Sequence, residues 1–315
     1  MAEALSATLV EDGGASAADP GHFFRSPEFL AAEGVTHTLS IEGGDEPLLL
    51  PVIERPIEGS DRRDAISPYG YPGALTAPVQ PPDPDQVDWS ATGLISLFVR
   101  DRIGERPCLA GGTVRTEVHV ADPRAESGIR KRLREQIRRN ERAGWRVAAE
   151  PGPGAEAADR EAFERAYAET MARTGAAERY LFESAHFERL LAADTAWLLL
   201  AGREGEVAGA GAIAVSSDSY LHYFLGGTGD DALADSPMKN LFAAMISLAG
   251  ELGLSLHLGG GVEQGDSLDA FKRGFANAAA TFRTHQVVCD AAAYEELSGR
   301  AGGEAEGFFP AYRLA

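Results

Sequence analysis

Cysteine is scarce in this sequence: Cys108 and Cys289 are the two among 315 residues. No CxxC pair or Cys/His cluster occurs at ligand spacing, so zinc-ribbon and zinc-finger patterns are excluded and no metal is expected. Nothing in the spacing supports a disulfide, and two reduced, packed thiols are the expectation. Positive charge is also short. The 29 Lys and Arg face 48 Asp and Glu, a net charge of -19, which repels phosphate backbones and anionic membranes. A general DNA binder is thereby excluded, and any RNA contact needs a local basic patch. No apolar run is long enough to span a bilayer. The opening MAEALSATLVEDGG lacks the basic and apolar regions of a signal peptide, so the expectation is a cytoplasmic chain without membrane insertion. No long heptad pattern appears. No Ser-His-Asp order stands out and Cys108 has no evident activating partner, which disfavours an acyl-enzyme.

What is present is ordinary globular composition, 44% apolar and 24% charged, over a length that suits two domains. Residues 1–20 read as a partly ordered lead-in. Short strand-like runs follow at 37–41 and 48–53, bounded by Asp and Gly turns. Residues 62–75 read as a Pro/Gly loop, 76–92 as a surface loop or lid, and 94–100 and 115–120 as strands. At 129–146, IRKRLREQIRRNERAGWR places Ile129, Leu133 and Ile137 four apart, one apolar stripe on a helix otherwise covered by cations. A strand is expected at 147–150, then a helix with Phe163, Tyr167 and Met171 on one face. Strands at 197–201, 206–216, 219–225, 254–258 and 284–290 alternate with helices at 237–252 and from 266. This order predicts an α/β (mixed α+β) layer fold.

Five segments in order, ISPYGYPG (66–73), YAETMARTGAAERYLF (167–182), LHYFLGGT (221–228), LHLGGGVEQGDSLDAFKRGF (256–275) and FFPAYR (308–313), resemble the FemAB/FemX-like branch of the GNAT superfamily. The resemblance implies two tandem GNAT-like domains with a cleft between them. It places the first at 1–145, the second at 146–290, and has 291–315 returning to the first. Lacking heptads, the chain matches the compact FemX-like form without a coiled-coil arm. FemX-like members move an amino acid from aminoacyl-tRNA to an amine of a peptidoglycan precursor, and related branches serve antibiotic biosynthesis. The expected partners are therefore aminoacyl-tRNA and an amine acceptor, either a small biosynthetic intermediate or a peptidoglycan precursor, with no cofactor.

The resemblance puts Phe271 and Lys272 at the reaction centre. An amine attacking an ester builds charge on the carbonyl oxygen and then on the leaving 3′-oxygen, and a fixed ammonium stabilises it. On its residues alone Lys272 reads equally as an exposed helix lysine. Gly260 and Gly261, within a glycine run after a strand, suit close backbone approach to a ligand or a plain tight turn. Asp266 or Ser267 reads as the N-cap of the helix carrying Lys272. Arg173 matches a phosphate-binding arginine of the family, and guanidinium suits phosphate, but a surface helix arginine is an equal alternative. Tyr180 and Tyr223 line a site or bond to backbone; Tyr69 and Tyr71 wall an acceptor pocket or pack a loop. His257 reads as a core histidine. Arg130, Lys131, Arg134, Arg138 and Arg142 are the candidate tRNA contacts, against a solvated charged face.

Ordinary GNAT enzymes grip acetyl-CoA with an Arg/Gln-x-x-Gly-x-Gly/Ala loop at a helix N-terminus. No stretch here satisfies it, which favours an aminoacyl-tRNA donor over acyl-CoA. A non-catalytic double-GNAT binding module is the third alternative.

Overall fold

The computed structural model describes residues 4–44, 46–76, 78–114, 118–260, 265–300 and 308–314. In chain order the strands are β1 (Leu5–Val10), β2 (His37–Glu42), β3 (Leu48–Pro56), β4 (Arg63–Ile66), β5 (Val87–Asp88), β6 (Leu94–Arg100), β7 (Thr113–Val114), β8 (Val118–Ala121), β9 (Arg146–Pro151), β10 (Ala196–Gly202), β11 (Ala210–Ser217), β12 (Tyr220–Thr228), β13 (Ser255–Gly259), β14 (Ala278–Ala280) and β15 (Arg283–Val288). The helices are α1 (Pro27–Ala32), α2 (Lys131–Arg142), α3 (Ala157–Thr174), α4 (Ser184–Leu191), α5 (Met238–Glu251), α6 (Ser267–Arg273) and α7 (Ala291–Arg300). No described helix is long and apolar enough to cross a membrane.

Two compact units result. One holds Met1–Asp19, Phe24–Arg115 and Thr281–Ala315, the other Pro20–Phe23 and Thr116–Ala280. In the first, β1 to β4 form an antiparallel meander, β6 runs parallel to β4, β15 pairs antiparallel with β6, and β7 closes one edge, with β5 at the other. Leu39 and Ile41 of β2 and Leu48, Leu50 and Val52 of β3 alternate into one core, as a sheet face requires. On β6, Leu97 and Val99 enter that core while Ile95 packs with Ala293 and Leu297 of α7. Both faces are covered, so LISLFVR reads as a continuous apolar run.

The second unit repeats the plan. Strands β9 to β12 form the meander, β13 is parallel to β12, β8 antiparallel to β13, and β14 the edge. Helix α5 lays Leu241, Phe242, Met245 and Ala249 against Leu199, Ala212, Ala214, Leu256 and Leu258. Helix α2 joins this core through Ile137, with Ile129 and Leu133 packed beside it, as the stripe predicts. Helix α3 lies against β11 and β12. Gly227 permits the approach, since a Cβ there would stand 2.4 Å from the Ala166 carbonyl oxygen.

Next to the β14 edge of the second sheet stands β8, the first strand of the stretch 116–280, and next to the β7 edge of the first sheet stands β15, from the far end of the chain. After β7 the chain enters the second unit as β8, and after β14 it returns to the first as β15. Residues 118–145, with α2, accordingly sit in the second unit and not with the first 145 residues. The return begins at 281.

Other differences are local. The supposed lead-in contains β1, whose five pairs with β2 override weak strand propensity. The Pro/Gly loop opens with β4, and the third strand of the second meander starts at Ala210, not 206. Residues 115–117 of the strand expected at 115–120 lie outside the described residues. Cys108 and Cys289 are free thiols.

Candidate functional site

The parallel register of β12 with β13 covers three pairs, Tyr220 with Ser255, Leu221 with Leu256 and His222 with His257. Toward β11, Leu225 faces Ile213 and Tyr223 faces Ala214, so Phe224 is an extra residue in β12. A bulge of this kind bends a strand and re-aims its side chains. Strand β13 ends at Gly259, at φ +74°, and Gly260 follows. Asp266 then caps α6, its carboxylate accepting from the backbone N–H of Asp269 at 2.7 Å.

Lys272 is in the last turn of α6 and only 7% exposed. Its Nζ donates to the Gly260 carbonyl oxygen at 2.7 Å and lies 5.5 Å from the centroid of the Tyr223 ring. A Cβ on Gly259 would stand 3.2 Å from Nζ, so glycine leaves the ammonium room. Burial disfavours the charged form and lowers the Lys272 pKa to about 8, against the pull of Asp266 and Asp269. The nearby imidazoles add no positive charge. Burial, then His22, lowers the His222 pKa to about 3, and burial, His222 and Lys272 hold His257 well below its usual range. Burial pushes the Tyr223 hydroxyl up to about 12, so it stays neutral.

His119 and Arg130 hold α6 from outside the helix, and Arg273 braces Asp269 from within it. His119 Nε2 is 2.7 Å from Asp269 Oδ1, and Arg273 pairs with the same carboxylate. Those contacts lower the Asp269 pKa. At the other end, the Arg130 N–H donates to the Gly274 carbonyl at 2.9 Å, joining the start of α2 to the end of α6. His119 went unnoticed in the sequence because a single strand histidine 150 residues from its partner leaves no local pattern.

Lys272, Phe271, Tyr223 and Gly260 thus share one region of the second unit. Phe271 packs with Phe242 at 5.2 Å and Phe275 at 5.3 Å, an aromatic brace behind the lysine. Gly261 lies outside the described residues. The Arg173 guanidinium, at the end of α3, is engaged by Asp230, by Thr170 and by the Thr228 carbonyl at 3.1 Å. The Tyr180 carbonyl accepts from Tyr167 Oη at 3.0 Å, and Arg179 covers the Tyr180 ring. In the first unit Tyr69 is 53% exposed beneath Arg100, while the Tyr71 ring packs on Phe24 and Phe282. Arg130, Lys131, Arg134, Arg138 and Arg142 are all exposed.

The sequence profile of the acetyltransferase (GNAT) domain matches residues 127–273, the span holding α2, β9 to β13 and α6. Among solved structures, FemX superposes with a TM-score of 0.58 at 11% identity, covering 82% of this chain and 89% of FemX. The chain has the FemX-like double-GNAT fold. This fold is shared with L-PGS from Bacillus licheniformis, at TM-score 0.56 and 12% identity over 82% of this chain and 86% of that one. It is shared too with a DUF2156 domain from Agrobacterium fabrum. That match has TM-score 0.53 and 15% identity over 84% and 87% of the two chains. No curated protein sequence matches the chain. In FemX-like terms, the mixed α/β expectation and the two GNAT-like halves are what the molecule has, and the comparisons support an acyltransferase of the GNAT type.

Proposed function

We propose that the protein is an aminoacyl-tRNA-dependent aminoacyltransferase that forms an amide bond on an amine acceptor, a small biosynthetic intermediate or a peptidoglycan precursor. The observation that carries this reading is the Lys272 ammonium, buried where β12 and β13 stop pairing and held by one carbonyl and a ring face. The free amine of the acceptor attacks the ester carbonyl, and the oxygen takes up negative charge. Collapse of the tetrahedral species breaks the C–O bond, and the leaving 3′-oxygen receives the proton that the attacking nitrogen gives up. Lys272 keeps its own proton and offsets the oxygen's charge throughout. In a low-dielectric setting such a fixed charge is worth far more than in water. A pKa of about 8 leaves it mostly protonated at neutral pH.

The basic helix supports the nucleic-acid part of the reading. Eight exposed cations lie on 130–146, and among described residues their side chains make one ion pair, Lys131 with Glu135 at 3.9 Å. Such a patch in a chain of net charge -19 suits a phosphate backbone, and α2 is bonded to the helix that carries Lys272. Tyr223 and Gly260 line the reaction centre in this reading, with Arg173, Tyr180, Tyr69 and Tyr71 as acceptor-side candidates.

The match of 127–273 to an acetyltransferase profile favours a second reading, an acyl-CoA donor. Incubation with a pool of charged tRNAs and amine acceptors separates the two. Amide product that RNase abolishes and acyl-CoA cannot replace supports the first reading. Product from acyl-CoA without RNA overturns it, and no turnover with either leaves a binding module.

A further inference from the structure

Three side chains unused by the proposed reaction meet inside the first unit. Asp101 follows β6, Cys108 lies in the connection from β6 to β7, and His285 is in β15. One donor atom from each lies within 4.8 Å of the other two. His285 Nε2 is 2.8 Å from Asp101 Oδ2, and Asp101 Oδ1 accepts from the Cys108 backbone N–H at 3.1 Å. The His285 and Asp101 side chains are 2% and 3% exposed, and Cys108 is equally buried among Leu97, Val99 and Leu109.

Charge and hydrogen bonding both leave something open at this point. Asp101 has His285 as its one ionic partner among the described residues. A carboxylate this deep is costly unless its charge is balanced. The other ring nitrogen, His285 Nδ1, is buried without a hydrogen-bond partner among the described residues. Nε2, the nitrogen that faces Asp101 Oδ2, is the donor that a cation lying between these side chains takes, in place of the proton the two now share. Gly112, at φ +77°, packs close against the far side of the ring, where a Cβ would stand 2.7 Å from Nδ1 and 2.6 Å from Cε1, which leaves the Asp101 side for a cation.

We propose that Asp101, Cys108 and His285 hold a divalent cation of the zinc class, which ties the end of β6 and the loop after it to β15. Thiolate and carboxylate supply two negative charges and imidazole none, so a dication leaves the cluster neutral. Sulfur, nitrogen and oxygen donors together suit zinc better than the all-oxygen preference of magnesium or calcium. On binding, a metal–sulfur bond forms and the thiol proton leaves to solvent, with no change of oxidation state. Without the metal, burial and Asp101 hold the Cys108 thiol well above its usual pKa, which leaves it a poor nucleophile.

The test uses the full-length protein, purified without chelator or metal-affinity resin. Elemental analysis is expected to find about one zinc per chain in the wild type and in Cys289→Ser, with at least tenfold less in Cys108→Ser and His285→Gln. If those two variants fail to fold, Cys289→Ser decides alone. After chelator treatment it is titrated with cobalt(II), and its sole remaining thiol must give a thiolate-to-cobalt absorption band. A wild type free of zinc together with no cobalt band overturns the proposal. Zinc retained in folded Cys108→Ser and His285→Gln overturns it equally.

Discussion

Asp64 in the first unit and Lys272 in the second are both buried charged side chains, and the two are treated very differently. Asp64 of β4 is fully buried and every lone-pair direction is used. Oδ1 accepts from Arg55 Nε at 2.9 Å and Arg313 Nη2 at 3.0 Å, and Oδ2 from Arg313 Nε at 2.6 Å and Tyr312 Oη at 3.0 Å. Lys272 carries three hydrogens and, among the described residues, has one hydrogen-bond acceptor. The first charge is consumed by the fold, clamping the C-terminal segment to β4. The second is held among the described residues by one carbonyl and a ring face, its burial costs stability, and in the proposed reaction it is the ammonium that meets the charged oxygen. The connections match this division. The chain crosses from β12 to β13 through α5, whereas no α-helix lies between β4 and β6 among the described residues.

The sharpest way to break the contrast is to delete both charges in turn. Lys272→Met is expected to lower amide-forming turnover by about 10²–10³ while donor binding persists. The same change is expected to raise the unfolding free energy by roughly 1–3 kcal/mol, since a buried ammonium is removed. Asp64→Ala is expected to do the reverse. It strands two guanidiniums and costs about 3 kcal/mol in denaturant unfolding, with the turnover of the folded fraction unchanged.

The titration of Lys272 comes next in size. Its ammonium is lost as pH rises through about 8, so kcat should fall about tenfold per unit on the alkaline side of that value. Lys272→Arg should move this limb upward, at a lower maximum. The stability linkage has the opposite sign. An unfolded lysine keeps its proton to 10.5 and the folded one only to about 8, so folding stability should rise between those values. Replacing Arg134, Arg138 and Arg142 together by Ala should weaken tRNA binding and reduce the salt slope by about 0.7–0.9 per lost phosphate contact, leaving kcat at saturating donor unaltered. Smallest of these effects, Asp266→Ala should cost about 1 kcal/mol through loss of the α6 cap.

Local patterns carried much of the fold. The apolar stripe of α2, the Asp266 cap and the run of β6 each depend on neighbours within one or two turns or along one strand. What the sequence concealed depends on distant partners. RDAI before a Pro/Gly stretch looks like loop, and it becomes β4 because Arg55, Tyr312 and Arg313 converge on Asp64. At the candidate site Phe271 and Lys272 were legible through the resemblance of their motif. The ring of Tyr223, the carbonyl of Gly260 and the His119–Asp269 contact acquire meaning only when β8, β12 and β13 lie side by side. The cluster of Asp101, Cys108 and His285 has no spacing that a motif could capture.

The return of β15 to the first sheet also bears on how such a chain can be assembled or divided. A fragment ending near residue 115 would leave β6 and β7 with a missing neighbour between them, and its complement would carry β15, a strand that belongs to the other unit. Contacts such as Leu97 with Val287 join positions far apart in sequence, so the first sheet cannot close until β15 has been made. Loss of the segment from 283 to 314 would therefore be felt first in the unit that holds β1 to β7.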